Sequence, residues 1–277
     1  RANLVAYAVK HPEDTNTLIE TLKLRAAAKN LKFAPSTVEA RTSILPTPIL
    51  CRKISADYNK ICSAAELQTR YDYSQSLTFD SRPLSIIVDT REQNPLKFSC
   101  PTISNGLSVG DYTSKSHYKK LFIERKSLQD AVGTLSSGFD RFCKEMERAA
   151  ESGFSVIVLI EHDLKLLTEK MHEKVIPQSQ VTGDFFFSRV RRLWQEYGNV
   201  VQFLFVGDRK EAARVVERIF SVEQSPPSID FQYFFDSKVY DFLQRADVKG
   251  WEYARSIDEK AKDYYEVYIK DRKNRVV

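Results

Sequence analysis

Two apolar runs limit what this chain can become. Ser155-Val-Ile-Val-Leu-Ile160 and Val200-Val-Gln-Phe-Leu-Phe-Val206 carry almost no polar residue. A strand with one wet face alternates, whereas a strand covered on both faces does not have to. Helical spacing follows each run. Asp184 to Tyr197 is bounded by Gly198, and Asp208 to Phe220 starts on Asp208 as its N-cap. Upstream, Leu84-Ser-Ile-Ile-Val88, Leu107-Ser-Val109 and Leu121-Phe-Ile123 are shorter strand candidates, the last two joined by a polar hairpin-type segment. A helix follows with Ser127 as N-cap and Asp130 completing a capping-box spacing. The helical pattern resumes after Gly138 and runs through Phe142, Met146 and Ala149 to Gly153. The order β-β-β-α-β-α-β-α predicts an α/β fold, a mixed β-sheet flanked by helices.

Three segments are expected: 1–83, 84–221 and 222–277. The first contains no glycine, and Thr15 to Lys29 places Leu18, Ile19, Leu22 and Ala26 at helical spacing. Ser55 to Thr69 is a second candidate helix, and Tyr71 to Pro83 is a candidate linker. This reads as a mainly helical N-terminal region that packs on the rest. Val222 to Asp230 is a second linker, followed by a short helical C-terminal extension that is aromatic and charged and ends in Lys270-Asp-Arg-Lys-Asn-Arg275.

The composition, 42% hydrophobic and 29% charged, is that of a globular chain with a real core, and the formal charge of +5 suits a polyanionic partner. Cys51, Cys62, Cys100 and Cys143 form no C-x-x-C pair, and His11, His117, His162 and His172 are scattered, so the spacing argues against a zinc site. Free thiols suggest a reducing, intracellular compartment. No apolar run reaches the length of a membrane span, and no signal-peptide pattern opens the chain. Its first residue is Arg, which fits a fragment of a longer protein.

The chemistry concentrates at the ends of the short strands. Asp111 follows one run and Glu124 ends another, with Lys126 two residues on, so that Glu124 and Lys126 share a strand face. Asp89-Thr-Arg-Glu92 adds two carboxylates and a guanidinium. Acids crowded at neighbouring strand ends repel, and a cation relieves that repulsion. Two acids and a lysine on one face can hold a divalent cation and act on a phosphate. Each residue also has a plain structural reading: Asp89 and Asp111 as turn residues, Asp89 to Glu92 as a salt-bridge cluster, Glu124 and Lys126 as an ion pair, and Asp130 as a cap.

Taken together, Ile87-Val-Asp-Thr-Arg-Glu92, Val109-Gly-Asp-Tyr112 and Ile123-Glu-Arg-Lys-Ser-Leu-Gln-Asp130 resemble the signature of the XPF-type (ERCC4-domain) structure-specific nucleases: Gly-Asp, a variable gap, Glu-Arg-Lys, three residues, Asp. The Gly133 to Gly138 segment and the Val156 to Glu161 strand add to the likeness, which spans about 84–221. It implies a restriction-endonuclease-like fold and a magnesium-dependent cut in DNA, manganese being able to substitute, at branched or single-strand/duplex junctions in repair, recombination or replication. Carried over by position, Asp111 and Glu124 are metal ligands and Asp89 a third acid at the metal edge. Lys126 would orient or help deprotonate the attacking water. Arg91 and Arg125 would touch the scissile phosphate or hold the site together, with Glu92 and Asp130 in support. The resemblance also implies DNA as partner, a homo- or heterodimer through the nuclease domain, and neither a membrane nor a nucleotide cofactor. The texture around Phe139-Asp-Arg-Phe142 looks like compact microbial or viral members. Residues 222–277 hold one glycine, Gly250, and no glycine-containing hairpin pair of the kind that builds the tandem helix-hairpin-helix module of many members.

Further nucleic-acid contacts are expected from Lys119 and Lys120 in the hairpin tip, from Arg141, and from Arg189, Arg191 and Arg192 beside Trp194, arginines being suited to phosphates and the indole to an unpaired base. The competing reading leaves the tip as a solvated turn and puts Val190, Leu193 and Trp194 in the core. A non-catalytic DNA-binding or scaffolding subunit is the alternative function. An unrelated α/β enzyme finds no support, since no phosphate-binding glycine loop, Ser-His-Asp set or dinucleotide fingerprint is present.

Overall fold

The computed structural model describes residues 2–43, 45–46, 48–69, 82–222 and 229–236. Its centre is a six-stranded mixed sheet in the order β2-β1-β3-β4-β5-β6. The strands are β1 (Ile86–Asp89), β2 (Thr102–Asn105), β3 (Tyr112–Ser114), β4 (Leu121–Ser127), β5 (Ser155–Glu161) and β6 (Val201–Val206). β4, β5 and β6 are parallel, β1 and β2 are parallel, and β3 runs antiparallel to both its neighbours.

The two apolar runs became β5 and β6, and the reason for their texture is visible. Val156, Val158 and Ile160 pack on one face with Phe203 and Phe205, against α6 (Leu128–Leu135), α7 (Phe139–Glu151) and α9 (Gly183–Tyr197). Ile157, Leu159, Leu204 and Val206 pack on the other, against α10 (Arg209–Phe220) and α11 (Phe231–Asp236). Burial on both faces removes any need for alternation. Between them α8 (Leu164–Glu169) starts on the side chain of Asp163, which accepts the N–H groups of Lys165 and Leu166. α11 also closes the sheet edge: Gln232 accepts the Phe205 N–H at 2.8 Å and donates to the Phe205 carbonyl at 3.4 Å, as a neighbouring strand would. Ile229 and Asp230, at the end of the expected linker, are both buried.

One strand assignment is corrected. Leu107 to Val109 is not a strand. The Leu107 N–H is taken by the Asp89 carboxylate at 2.9 Å and its carbonyl by the Arg91 guanidinium at 2.7 Å, so side chains satisfy this backbone and no ladder can. The hairpin partner of β4 is instead β3, which begins after Asp111. Glu124 therefore sits within β4 and does not end it. β2 carries no hydrophobic signal because all four of its residues are exposed.

The N-terminal region is helical, as expected: α1 (Ala2–Lys10), α2 (Asn16–Lys29), α3 (Thr37–Arg41), α4 (Pro48–Lys53) and α5 (Tyr58–Ala64). Leu18 and Leu22 enter its own core with Tyr58, Ile61 and Cys62. It is fastened to the sheet domain through α3. Glu39 accepts from Arg25 of α2 at 3.0 and 2.7 Å and from Gln195 of α9 at 3.0 Å, and the Thr37 N–H donates to Asp230 at 2.7 Å. The expected linker at 71–83 and the basic end at 270–275 lie outside the described residues, except Arg82 and Pro83. Among the described residues no helix is long and apolar enough to cross a membrane.

Candidate active site

The register of three strands gathers the acids. Val88 lies opposite Tyr112, and Tyr112 opposite Ile123. Asp111 therefore falls between Asp89 and Glu124. Its carbonyl accepts the Asp89 N–H at 2.8 Å, and its own N–H donates to the Ile123 carbonyl at 2.8 Å. Gly110 makes this approach possible. Its φ is +68°, and a Cβ there would stand 2.9 Å from the Ile123 carbonyl oxygen. Side chains alternate along β4, so Glu124 and Lys126 share the face of Phe122, toward α7, while Arg125 shares the face of Ile123.

On the α7 face, Lys126 Nζ donates to Glu124 Oε1 at 2.7 Å and stands 5.6 Å from the centre of the Phe142 ring. Asp111 accepts the Arg125 N–H on Oδ2 at 2.7 Å. Burial, followed by the charge of Glu124, pushes the Asp111 carboxyl up to about 7. Glu145, one turn beyond Phe142 on α7, is also raised, by burial and then by Glu124, with Lys126 pulling the other way. Sequence reasoning missed Glu145. Its signal was the i+3 spacing from Phe142, which puts both on the inner face of α7. The site thus carries more carboxylate than its single lysine balances.

Asp89 lies at the same sheet edge but is already engaged. Oδ1 accepts the Arg91 N–H at 2.7 Å and Nε at 2.9 Å, and Oδ2 accepts Arg91 Nη2 at 2.8 Å and the Leu107 N–H at 2.9 Å. Four bonds use up the lone pairs of one carboxylate. The Arg91 hydrogen bond is the main reason its pKa is held down at about 2. Among the described residues, no three carboxylate, imidazole or thiol side chains stand together as a ready ligand set. Asp111 and Glu124 are brought together; Asp89 buttresses the turn that carries Asp111.

On the opposite face, Arg125 reaches Glu161 at the end of β5 (3.1 Å) and Glu92 (3.4 Å), and all three side chains are largely buried. Arg209 at the start of α10 donates to the carbonyls of Asn94 and Pro95, pinning the loop that holds Glu92. The Arg125 guanidinium is thus engaged by Glu92 and Glu161 on the face away from Glu124 and Lys126. Asp130 is exposed and accepts the Ser127 hydroxyl at 2.6 Å within the α6 cap.

The expected nucleic-acid contacts separate into different places. Lys119 and Lys120 are exposed in the β3–β4 turn at the start of β4. Four residues of strand, about 13 Å, separate Lys120 from Glu124. His117 in that turn is buried, bonded to Ser114 at 2.8 Å and to the Val222 carbonyl at 3.1 Å. Arg191 donates to the Thr42 carbonyl at 2.8 Å, inside the contact with the N-terminal region. Val190, Leu193 and Trp194 are core residues, so the indole is not available to a base. Arg141 is exposed on α7, and Arg189 and Arg192 lie over the Phe139 ring at 4.3 and 5.2 Å.

The fold and the site define an α/β domain in which a six-stranded mixed sheet, flanked by helices, carries an acid pair and a lysine on one face of two adjoining strands, β3 and β4. Residues 88–219 are matched by the family model described as the ERCC4 domain, the family whose motif the sequence resembles. Among solved structures, XPF from Aeropyrum pernix is similar at 22% identity and a TM-score of 0.39, covering 49% of this chain and 59% of its own. The same protein in complex with DNA is similar at 20% identity and a TM-score of 0.39, covering 65% and 82%. The chain thus spans about three fifths of the first of these. No curated protein matches.

Proposed function

We propose that the domain at 84–221 is a divalent-metal-dependent endonuclease that hydrolyses phosphodiester bonds in DNA, at branched or single-strand/duplex junctions. The observation that carries this reading is the register that sets Asp111 beside Glu124 with Lys126 on the same face. Two near carboxylates, one of them pushed up to about 7 in the absence of any cation, suit magnesium or manganese, and magnesium commonly takes only one or two protein carboxylates and keeps its waters. Asp111 and Glu124 would hold the ion, which when bound polarises a phosphate and acidifies a water. Lys126, now paired with Glu124, would turn its ammonium to the attacking water and to charge growing on the phosphate oxygens. Arg91 keeps a largely exposed guanidinium at the same edge, where a phosphate can meet it. Asp89 fixes the Asp111 turn, and the Glu92–Arg125–Glu161 cluster fixes β4 from behind.

The test uses labelled flap, splayed and duplex DNA with magnesium, with manganese and with chelator. Cutting should require metal and fall by at least 100-fold in Glu124→Gln and Lys126→Met, a loss on the scale of one general acid–base or electrostatic group. Cutting that persists in either variant, or in chelator, refutes the assignment. The saturated Asp89 favours one other reading, a DNA-binding subunit without catalysis, and folded protein that binds DNA and never cuts would establish it.

A further inference from the structure

The arginines of α9 have different fates. Arg191 is spent on the Thr42 carbonyl, and Arg192 donates to Glu196 at 2.8 Å with Asp140 close by. Arg189 makes no hydrogen bond or ion pair among the described residues. Its guanidinium lies 4.3 Å from the centre of the Phe139 ring and 5.0 Å from that of Phe185, which is partly exposed. A guanidinium stacked on aromatic rings loses its freedom to swing but keeps its N–H edge for an anion. It is therefore a preset donor fork that its two rings hold from the flat side.

The position relative to the catalytic face is also fixed. Phe139 and Phe142 are one turn apart on α7. Arg189 stacks on the first ring, and Lys126 stands over the second. Two successive rungs of one helix thus link the lysine to the fork, a span on the order of 10–15 Å, or roughly two phosphate steps along one duplex strand once its sweep about the axis is added to the rise of about 3.4 Å.

Resting on the nuclease reading, we infer that Arg189, gripped by Phe139 and Phe185, holds a backbone phosphate of the cleaved strand roughly two nucleotides from the scissile bond. The contact is to sugar-phosphate and is indifferent to base. It gives the enzyme a minimum length of strand on one side of the cut.

Binding of splayed and duplex DNA to the whole protein in chelator, followed by fluorescence anisotropy between 50 and 200 mM salt as an order-of-magnitude range, reads this without catalysis. Arg189→Gln should weaken binding about 3- to 10-fold and reduce the slope of log K against log salt by about 0.9, the share of one phosphate. Lys210→Gln, exposed on α10, should leave binding through this face unchanged. With metal, Arg189→Gln should raise KM far more than it lowers kcat. Trimming the strand to about one nucleotide beyond the cut should cost the wild type what the substitution costs and cost the variant nothing more. Arg189→Lys, which keeps charge but loses the stacked fork, should fall between, and it serves if the glutamine variant does not fold. An unchanged slope and an unchanged length dependence overturn the inference while leaving the nuclease reading intact. A drop in slope without any cutting by the wild type keeps Arg189 as a phosphate contact but overturns the nuclease reading and, with it, the placement relative to a cut. A wild-type protein that binds no DNA overturns both.

Discussion

Replacing Glu39 by Gln should loosen α2 from α3, the helix by which the N-terminal region meets the sheet domain. Glu39 is 1% exposed and its partner Arg25 7% exposed, so the pair is out of water. The carboxylate receives Arg25 Nε and Nη2 and also Gln195 Nε2 of α9. An amide of the same size keeps one acceptor oxygen but turns an NH2 toward a guanidinium, donor against donor, and leaves the arginine charge uncompensated. Breaking a buried pair by removing one partner costs about 3–5 kcal/mol. That is a large part of the roughly 5–15 kcal/mol that holds a domain folded. Urea unfolding followed by circular dichroism should show a loss of this size. Native-state hydrogen exchange should show α2 and α3 opening at lower free energy than β5 and β6. The paired replacement Arg25→Met with Glu39→Leu removes both charges and should recover most of the stability, since a buried pair contributes little over an apolar pair of like volume. A Glu39→Gln protein within about 0.5 kcal/mol of wild type, the range of ordinary surface changes, would show that this contact does not fasten the two regions.

Two further outcomes follow from the site. Gly110→Ala should destabilise by about 1–3 kcal/mol from the positive φ alone, more with the Ile123 carbonyl in the way, and should lower cutting because the turn aims Asp111; urea unfolding as stable as wild type would refute this. Asp89 is held at about 2, below its unfolded value near 3.9, so its contribution is present above about pH 4 and is lost as pH falls toward 2. Asp89→Asn should be less stable at neutral pH and should lack that acid-limb loss; urea midpoints that fall in parallel for both proteins between about pH 2 and 4 would contradict it.

The sheet's middle was legible because both-face burial writes itself into β5 and β6 as unbroken apolar runs. Its margin was not. β2 is fully exposed and is held by parallel pairing to β1, so no hydrophobic pattern could announce it. Leu107 to Val109 looked like a strand because Leu107 and Val109 are buried at alternate positions, yet the Leu107 backbone is satisfied by Asp89 and Arg91, a long-range arrangement that local spacing does not encode. Within the site, the shared face of Glu124 and Lys126 followed from strand parity. The same parity already sent Arg125 to the other face, but its partner Glu161 comes from a different strand and could not be named from β4 alone. The basic residues were the least legible. Nothing local distinguishes Arg191, turned into a domain contact, from Arg189 two positions away.

β4 interleaves two trades in three consecutive residues: Glu124 and Lys126 face the reacting side, and Arg125 serves the scaffold. Deleting one residue inside this strand would swap those duties wholesale, presenting a guanidinium where an acid is wanted and burying two charges among Ile157 and Leu204. Lengthening the turn at its exposed end, Tyr118 to Lys120, beyond the buried His117 and its bonds to Ser114 and Val222, would leave this alternation as it is. Tolerance to insertion and intolerance to slippage therefore sit a few residues apart on the same hairpin.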